Sequence, residues 1–104
     1  MIEVLDSIER WRAEGQRIAV ATLVGVEQSA PRDPGAVMTV NERGDVAGSV
    51  SGGCVESAVY EEAQDAIATG RPRLVTYGIS DADAISVGLT CGGTIHVFVE
   101  RLDW

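Results

Sequence analysis

Apolar residues recur at helical spacing in two stretches of the chain, and both stretches are predicted to form amphipathic helices. The first covers residues 2–14 and is followed by Gly15, a residue type that commonly ends a helix. The second covers residues 55–69 and is followed by Gly70 and then Pro72. The apolar stripe of the first contains Val4, Leu5, Ile8 and Trp11, and that of the second lies at positions 55, 58, 59, 63, 66 and 67.

Five short apolar segments predict strands, namely residues 18–26, 36–40, 46–50, 74–77 and 94–100. The first is almost continuously apolar, as expected for a central strand that is covered on both faces. The second and third flank a turn that contains Gly44, and this spacing predicts a hairpin. In the last segment, Ile95, Val97 and Val99 are expected on one face and His96 and Phe98 on the other.

These elements predict an α/β fold, a single small domain over residues 1–104 in which a mixed central sheet is flanked by two main helices. Ser80 followed by Asp83 also predicts a short turn of helix through about Val87. The chain has 104 residues and is 45% apolar, which is enough for a packed core without disulfide or metal support.

The net charge of the chain limits the classes of partner that it is expected to bind. A formal net charge of −8 disfavours nucleic acids and anionic lipid surfaces, which are bound through clustered basic residues. No apolar run approaches the roughly 20 residues of a membrane helix. With two cysteines and no charged-then-apolar leader, we expect a cytoplasmic protein with neither nucleic acid nor membrane partners.

The segment Ser51-Gly52-Gly53-Cys54-Val55-Glu56 joins a predicted strand to the second helix. Glycines let a ligand approach the backbone, and the free amides and dipole at a helix start attract anions such as phosphate. The same dipole would make the Cys54 thiol more reactive. Plainer explanations stay open. The glycines could form a tight turn around a buried Cys54. The helix dipole alone could explain a glutamate at position 56, in the first turn of the helix.

A second segment, Cys91-Gly92-Gly93, precedes the last strand and again places a thiol beside two glycines. The two segments could line one cleft, or they could be unrelated turns. A disulfide between Cys54 and Cys91 is disfavoured by the expected reducing compartment. A zinc site that adds His96 is disfavoured because it lacks a fourth ligand and closely spaced ligand pairs.

Arg32 lies in a proline-rich loop, where its guanidinium suits bidentate contact with a phosphate or carboxylate. The alternative is an exposed arginine paired with a surface carboxylate. The sequence contains no defensible catalytic triad or catalytic carboxylate pair. We therefore assign no catalytic residue and no metal ligand.

Three segments, taken together and in order, closely resemble the XdhC/CoxI family of xanthine dehydrogenase accessory factors. They are residues 29–36 (SAPRDPGA), 48–56 (GSVSGGCVE) and 88–93 (GLTCGG). By motif, the resemblance implies that the cofactor-binding residues are Arg32, Gly52, Gly53, Cys54, Glu56, Cys91, Gly92 and Gly93. Ser51, within the second segment, completes the candidate site.

The resemblance implies a maturation factor for a molybdenum hydroxylase of the xanthine dehydrogenase or carbon monoxide dehydrogenase type. Such a factor binds the molybdenum cofactor (molybdopterin) transiently, supports its sulfuration by a cysteine desulfurase and delivers it to the apo-hydroxylase. Longer members continue into a Rossmann-like domain, whereas this sequence ends at Trp104. We therefore expect a short form, completed by a separate Rossmann-like protein or by a homodimer.

This resemblance favours a chaperone that binds a cofactor without turnover of its own. Two alternatives remain open. One is a thiol-dependent sulfur carrier or enzyme that uses Cys54 or Cys91. The other is a structural subunit of a larger maturation complex.

Overall fold

The computed structural model describes residues 2–27, 34–50, 55–77 and 94–102. Its elements are α1 (Ile2–Ala13), β1 (Ile18–Glu27), β2 (Val37–Asn41), β3 (Val46–Gly48), α2 (Glu56–Thr69), β4 (Arg73–Tyr77) and β5 (Thr94–Arg101). The two predicted helices and five predicted strands are confirmed, and their ends differ from prediction by at most two residues. The helical turn predicted from Ser80 to about Val87 lies outside the described residues.

The five strands form one sheet in the order β3-β2-β1-β5-β4, so the segment predicted to be the central strand is in the middle. We expected a mixed sheet, but each neighbouring pair of strands is antiparallel. The difference follows from the order in which the chain connects the strands. The predicted hairpin joins β2 to β3, whereas the crossover through α2 joins β3 and β4, which lie at opposite edges and never become neighbours.

The helices lie on opposite faces of this sheet, which gives a small α/β domain of three layers. We call the face under α2 the inner face and the face under α1 the outer face. Alternate residues of each strand point to opposite faces, so Ile95, Val97 and Val99 are buried on the inner face. His96 and Phe98 belong to the outer face, as predicted.

The inner face holds the larger hydrophobic core. Val59, Ala63, Ala66 and Ile67 of α2 are buried against it. Small side chains in both layers, among them Ala19 and Ala21 of β1, bring the helix close to the strands. The predicted apolar stripe of α2 is therefore confirmed.

The outer face is covered more sparingly. Val4, Ile8 and Trp11 of α1 are buried together with Ile18, beside Val20, Val37, Ala47 and Leu102. Leu5, predicted as part of the same stripe, is 50% exposed and borders an apolar cavity of about 400 Å³. Toward β4 the outer face is open, and Leu74 there is 62% exposed.

The end of α2 illustrates how the chain is redirected toward β4. Gly70 adopts a left-handed conformation (φ 73°), which favours glycine, and its amide donates to the Ala66 carbonyl oxygen at 2.8 Å.

Neither of the two described helices is long and apolar enough to cross a membrane.

Candidate functional site

The segments that carry the predicted motifs are bounded by residues at one end of the sheet. Glu27, the last residue of β1, is paired with Thr94, the first residue of β5, and Tyr77 at the end of β4 is paired with Ile95. The loop after β1 returns to the same end, because the Gly35 amide donates to the Leu23 carbonyl oxygen at 2.7 Å.

The start of α2 lies at this end as well. Near the other end of the helix, the Arg101 guanidinium donates to the Ile67 carbonyl oxygen at 3.2 Å. Arg101 is the last residue of β5, so the end of α2 lies over the end of β5. The first turn of α2 contacts the residues that follow β3, since Glu56 bonds to Ser49 and Val50. Both β1 and β3 are antiparallel to β2, so β3 runs in the same direction as β1 and ends at the same end of the sheet. We call this end of the domain, bounded by Glu27, Gly35, Val50, Val55, Tyr77 and Thr94, the motif end.

Glu56 is the one predicted site residue that lies within the described residues. The others, Arg32, Ser51, Gly52, Gly53, Cys54, Cys91, Gly92 and Gly93, lie outside them. That Cys54 and Cys91 are neighbours in one cleft consequently stays a prediction. The described residues on both sides of each segment are nevertheless located at the motif end.

The Glu56 side chain connects the first turn of α2 to the residues that follow β3. Its Oε2 atom accepts a hydrogen bond from the Ser49 hydroxyl at 2.6 Å and another from the Val50 amide at 3.0 Å. Both bonds go to a carboxylate oxygen, and such charge-assisted bonds are shorter and stronger than neutral ones. Glu56 therefore links the two sides of the 51–54 segment, a contact that goes beyond the helix-dipole effect considered from sequence.

Two buried valines anchor the same segment at its ends. Val50, just before it, is fully buried, and Val55, just after it, is nearly so. Val55 occupies the N-cap of α2 and provides no side-chain cap. Apolar burial and the Glu56 carboxylate together fix where the chain enters and leaves residues 51–54.

The approach to this segment requires glycine at position 48. Gly48 has φ +80°, and a Cβ atom placed there would lie 2.2 Å from the Val37 carbonyl oxygen. The adjacent Ser49 amide donates to that same oxygen at 3.1 Å. The chain therefore turns out of β3 directly against the start of β2, where a side chain has no room.

Tyr77 is a candidate site residue that the sequence analysis missed. It ends β4 at the motif end and is buried, yet its hydroxyl has no hydrogen-bond partner among the described residues. Burial, with a smaller contribution from the Glu62 charge, raises the pKa of Tyr77 to about 12. The hydroxyl is thus a neutral potential donor. The available sequence signal was a tyrosine ending an otherwise apolar strand, where a buried hydroxyl needs a partner.

His96 lies near the motif end but on the outer face, opposite to α2. Its Nδ1 atom is 2.9 Å from the Thr76 hydroxyl on the neighbouring strand. The side chain is partly exposed. His96 therefore belongs to the contact between β4 and β5 on the outer face, away from α2.

Comparison with known proteins identifies the relatives of this domain. Residues 11–78 match the model of the XdhC and CoxI family. The chain is 39% identical over 88 residues to the molybdenum cofactor insertion chaperone PaoD of Escherichia coli (strain K12), covering 85% of this chain and 27% of that protein. It is also 39% identical over 92 residues to a probable xanthine dehydrogenase subunit of Bacillus subtilis (strain 168), covering 86% of this chain and 28% of that protein.

A solved structure supports the same relationship. The fold is similar to the crystal structure of a Bacillus halodurans protein described as a xanthine dehydrogenase, with a TM-score of 0.79 and 36% sequence identity. That match covers 94% of this chain and 30% of the other. The chain thus spans less than a third of the length of each of these relatives. The family match covers more than half of the chain, and the chain belongs to the XdhC and CoxI family.

Proposed function

We propose that this chain binds the molybdenum cofactor and assists its insertion into a molybdenum hydroxylase of the xanthine dehydrogenase or carbon monoxide dehydrogenase type. The observation that carries the proposal is that the residues bounding all three motif segments lie at one end of the sheet. One relative is named as a molybdenum cofactor insertion chaperone, and another is named as part of a xanthine dehydrogenase.

The residues available at the motif end suit such a ligand. The cofactor supplies a phosphate, a polar pterin ring and a dithiolene that carries molybdenum. Arg32, Ser51, Gly52 and Gly53 would hold the phosphate near the start of α2, where backbone amides and the helix dipole favour an anion. The buried Tyr77 hydroxyl, which has no hydrogen-bond partner among the described residues, offers a donor for a polar ring.

The thiols would lie toward the sulfur and metal part of the ligand. Thiolates are soft ligands suited to such centres, so Cys54 and Cys91, with Gly92 and Gly93 beside the latter, form that side of the proposed site. Binding is transient in this proposal, because a chaperone must release its cargo. The chain itself has no turnover.

The remaining partners follow from the same proposal. The apo-hydroxylase receives the cofactor, and a cysteine desulfurase supplies sulfur while the cofactor is bound, in the cytoplasm. A separate Rossmann-like protein or a second copy of this chain completes the binding surface.

Replacing Cys54 by alanine tests the proposal. We expect the Cys54→Ala variant to remain folded but to lose cofactor binding and support of the hydroxylase. The control is Val59→Ala, which shortens a fully buried side chain and should cost about 1 to 3 kcal/mol of unfolding free energy. Thermal melts measure stability. Pterin and molybdenum analysis of protein co-expressed with the cofactor pathway measures binding.

Two results would count against the proposal. If the Cys54→Ala variant retained the cofactor and still matured the hydroxylase, the thiol would be structural. If the unaltered protein carried neither pterin nor molybdenum but acquired a persulfide from a cysteine desulfurase, the sulfur-carrier alternative would replace the chaperone.

A further inference from the structure

We propose that Glu56 is a positioning residue, whose carboxylate holds the first turn of α2 against Ser49 and Val50 after β3, rather than a residue that contacts the cofactor. This inference deepens the proposed function and rests on it, because Cys54 lies between these two anchored positions in the sequence. It changes the role that the motif alone suggested for Glu56.

The first argument is geometric. One oxygen of Glu56 accepts from both the Ser49 hydroxyl (2.6 Å) and the Val50 amide (3.0 Å), which come from the opposite side of the segment. The carboxylate thereby joins Ser49, just after β3, to the first turn of α2. Such a contact fixes Val50 relative to the helix start before any ligand arrives, which lowers the ordering cost of binding.

The second argument is electrostatic. The proposed ligand carries a phosphate, and the chain already has a net charge of −8. A carboxylate in direct contact with that anion would repel it. The same charge is well placed as an acceptor for an amide and a hydroxyl, where it strengthens both bonds.

The third argument concerns the surrounding packing. Val50 and Val55 are buried beside the two halves of this contact, and Gly48 fixes the turn that delivers Ser49. The carboxylate therefore has anchored groups on both sides. Its loss should loosen the contact between α2 and the residues after β3 without unfolding the domain, since none of the core residues changes.

Three variants separate position from charge. Glu56→Ala removes both hydrogen bonds, whereas Glu56→Gln removes the charge and keeps an acceptor oxygen at the same distance along the side chain. Glu61→Gln, at an exposed position of the same helix, controls for the loss of one negative charge. Circular dichroism melts verify that each variant is folded.

Measurements on the cofactor-free protein test the inference directly. In Glu56→Ala we expect amide hydrogen exchange at Val50 to accelerate about tenfold or more, as its acceptor is lost. We also expect alkylation of Cys54 by iodoacetamide, resolved from Cys91 by peptide mass spectrometry, to accelerate several-fold. Glu61→Gln should match the parent in both measurements, whereas Glu56→Gln, which keeps an acceptor oxygen but loses the charge, should fall between the parent and Glu56→Ala. If Glu56→Ala does not fold, Ser49→Ala replaces it and should show a smaller change in the same direction.

Two outcomes overturn the inference. Unchanged Val50 exchange and Cys54 alkylation in Glu56→Ala would show that the contact does not fix Val50 against α2. A Glu56→Gln variant that keeps Val50 protected but loses the cofactor would show that Glu56 touches the ligand. If the parent protein binds no cofactor at all, the proposed function fails, while the exchange and alkylation results still decide the role of Glu56.

Discussion

The inner and outer faces of the sheet differ in how completely they are covered. On the inner face, α2 lies over β1 and β5 and buries a continuous apolar layer. On the outer face, α1 packs against β1, β2 and β3, and the surface of β4 is left exposed at Leu74. The inner face therefore provides most of the hydrophobic core, whereas the outer face keeps apolar surface accessible.

Matched leucines on the two faces give the largest expected difference. Leu23 is fully buried on the inner face, so Leu23→Ala should lower the free energy of unfolding by about 2 to 5 kcal/mol. Leu74→Ala, on the open part of the outer face, should cost less than about 1 kcal/mol. Chemical denaturation of both variants measures the contrast. Comparable losses would show that the outer face is covered in solution.

The sequence predicted buried positions more accurately for the inner face than for the outer face. Periodicity located all the described elements because burial on one face imposes a regular apolar pattern, as in Val59 and Ile67. It placed Leu5 in the core, although half of that side chain is exposed, since helical spacing alone does not say how far the covering sheet extends. Strand direction also escaped prediction, because apolar runs carry no information on which strands become neighbours.

The candidate site was predicted to a smaller extent. Sequence reasoning found Glu56 through the motif, but its hydrogen bonds to Ser49 and Val50 depend on how the chain leaves β3. Tyr77 was missed for a similar reason. A tyrosine in a strand is ordinary, and only the packed structure shows that its hydroxyl is buried without a partner among the described residues.

Tyr77 provides the next prediction, a loss of stability at high pH on the inner face. Its folded pKa of about 12 exceeds the ordinary value of 10, so the folded state holds the phenolic proton more tightly than the unfolded state. The resulting stabilisation is complete below pH 10 and is lost as the pH rises to 12, by up to about 3 kcal/mol. All eight basic residues are arginine, so no lysine titrates in this range.

The test is to measure denaturation curves of the parent and of Tyr77→Phe at several pH values between about 9 and about 12, the range in which tyrosine ionises. The variant should lack this part of the pH dependence and should be at least as stable near neutral pH, because it removes a buried hydroxyl without a described partner. The absorbance of tyrosinate, compared between the parent and the variant, should isolate the ionisation of Tyr77. Identical pH profiles would mean that Tyr77 ionises as an exposed tyrosine does.

The smallest expected effect distinguishes the covered and open parts of the outer face. Thr39 of β2 is fully buried, and its hydroxyl donates to the Ala19 carbonyl oxygen at 2.9 Å. Thr39→Val keeps the shape but removes that bond and should cost about 1 kcal/mol. Thr22→Val, which changes a residue lining the apolar cavity, should alter stability by less than about 0.5 kcal/mol. Urea denaturation curves fitted with a shared m-value resolve such differences. If Thr22→Val lowered the free energy of unfolding as much as Thr39→Val, the cavity side of the outer face would be packed as tightly as the part beneath α1.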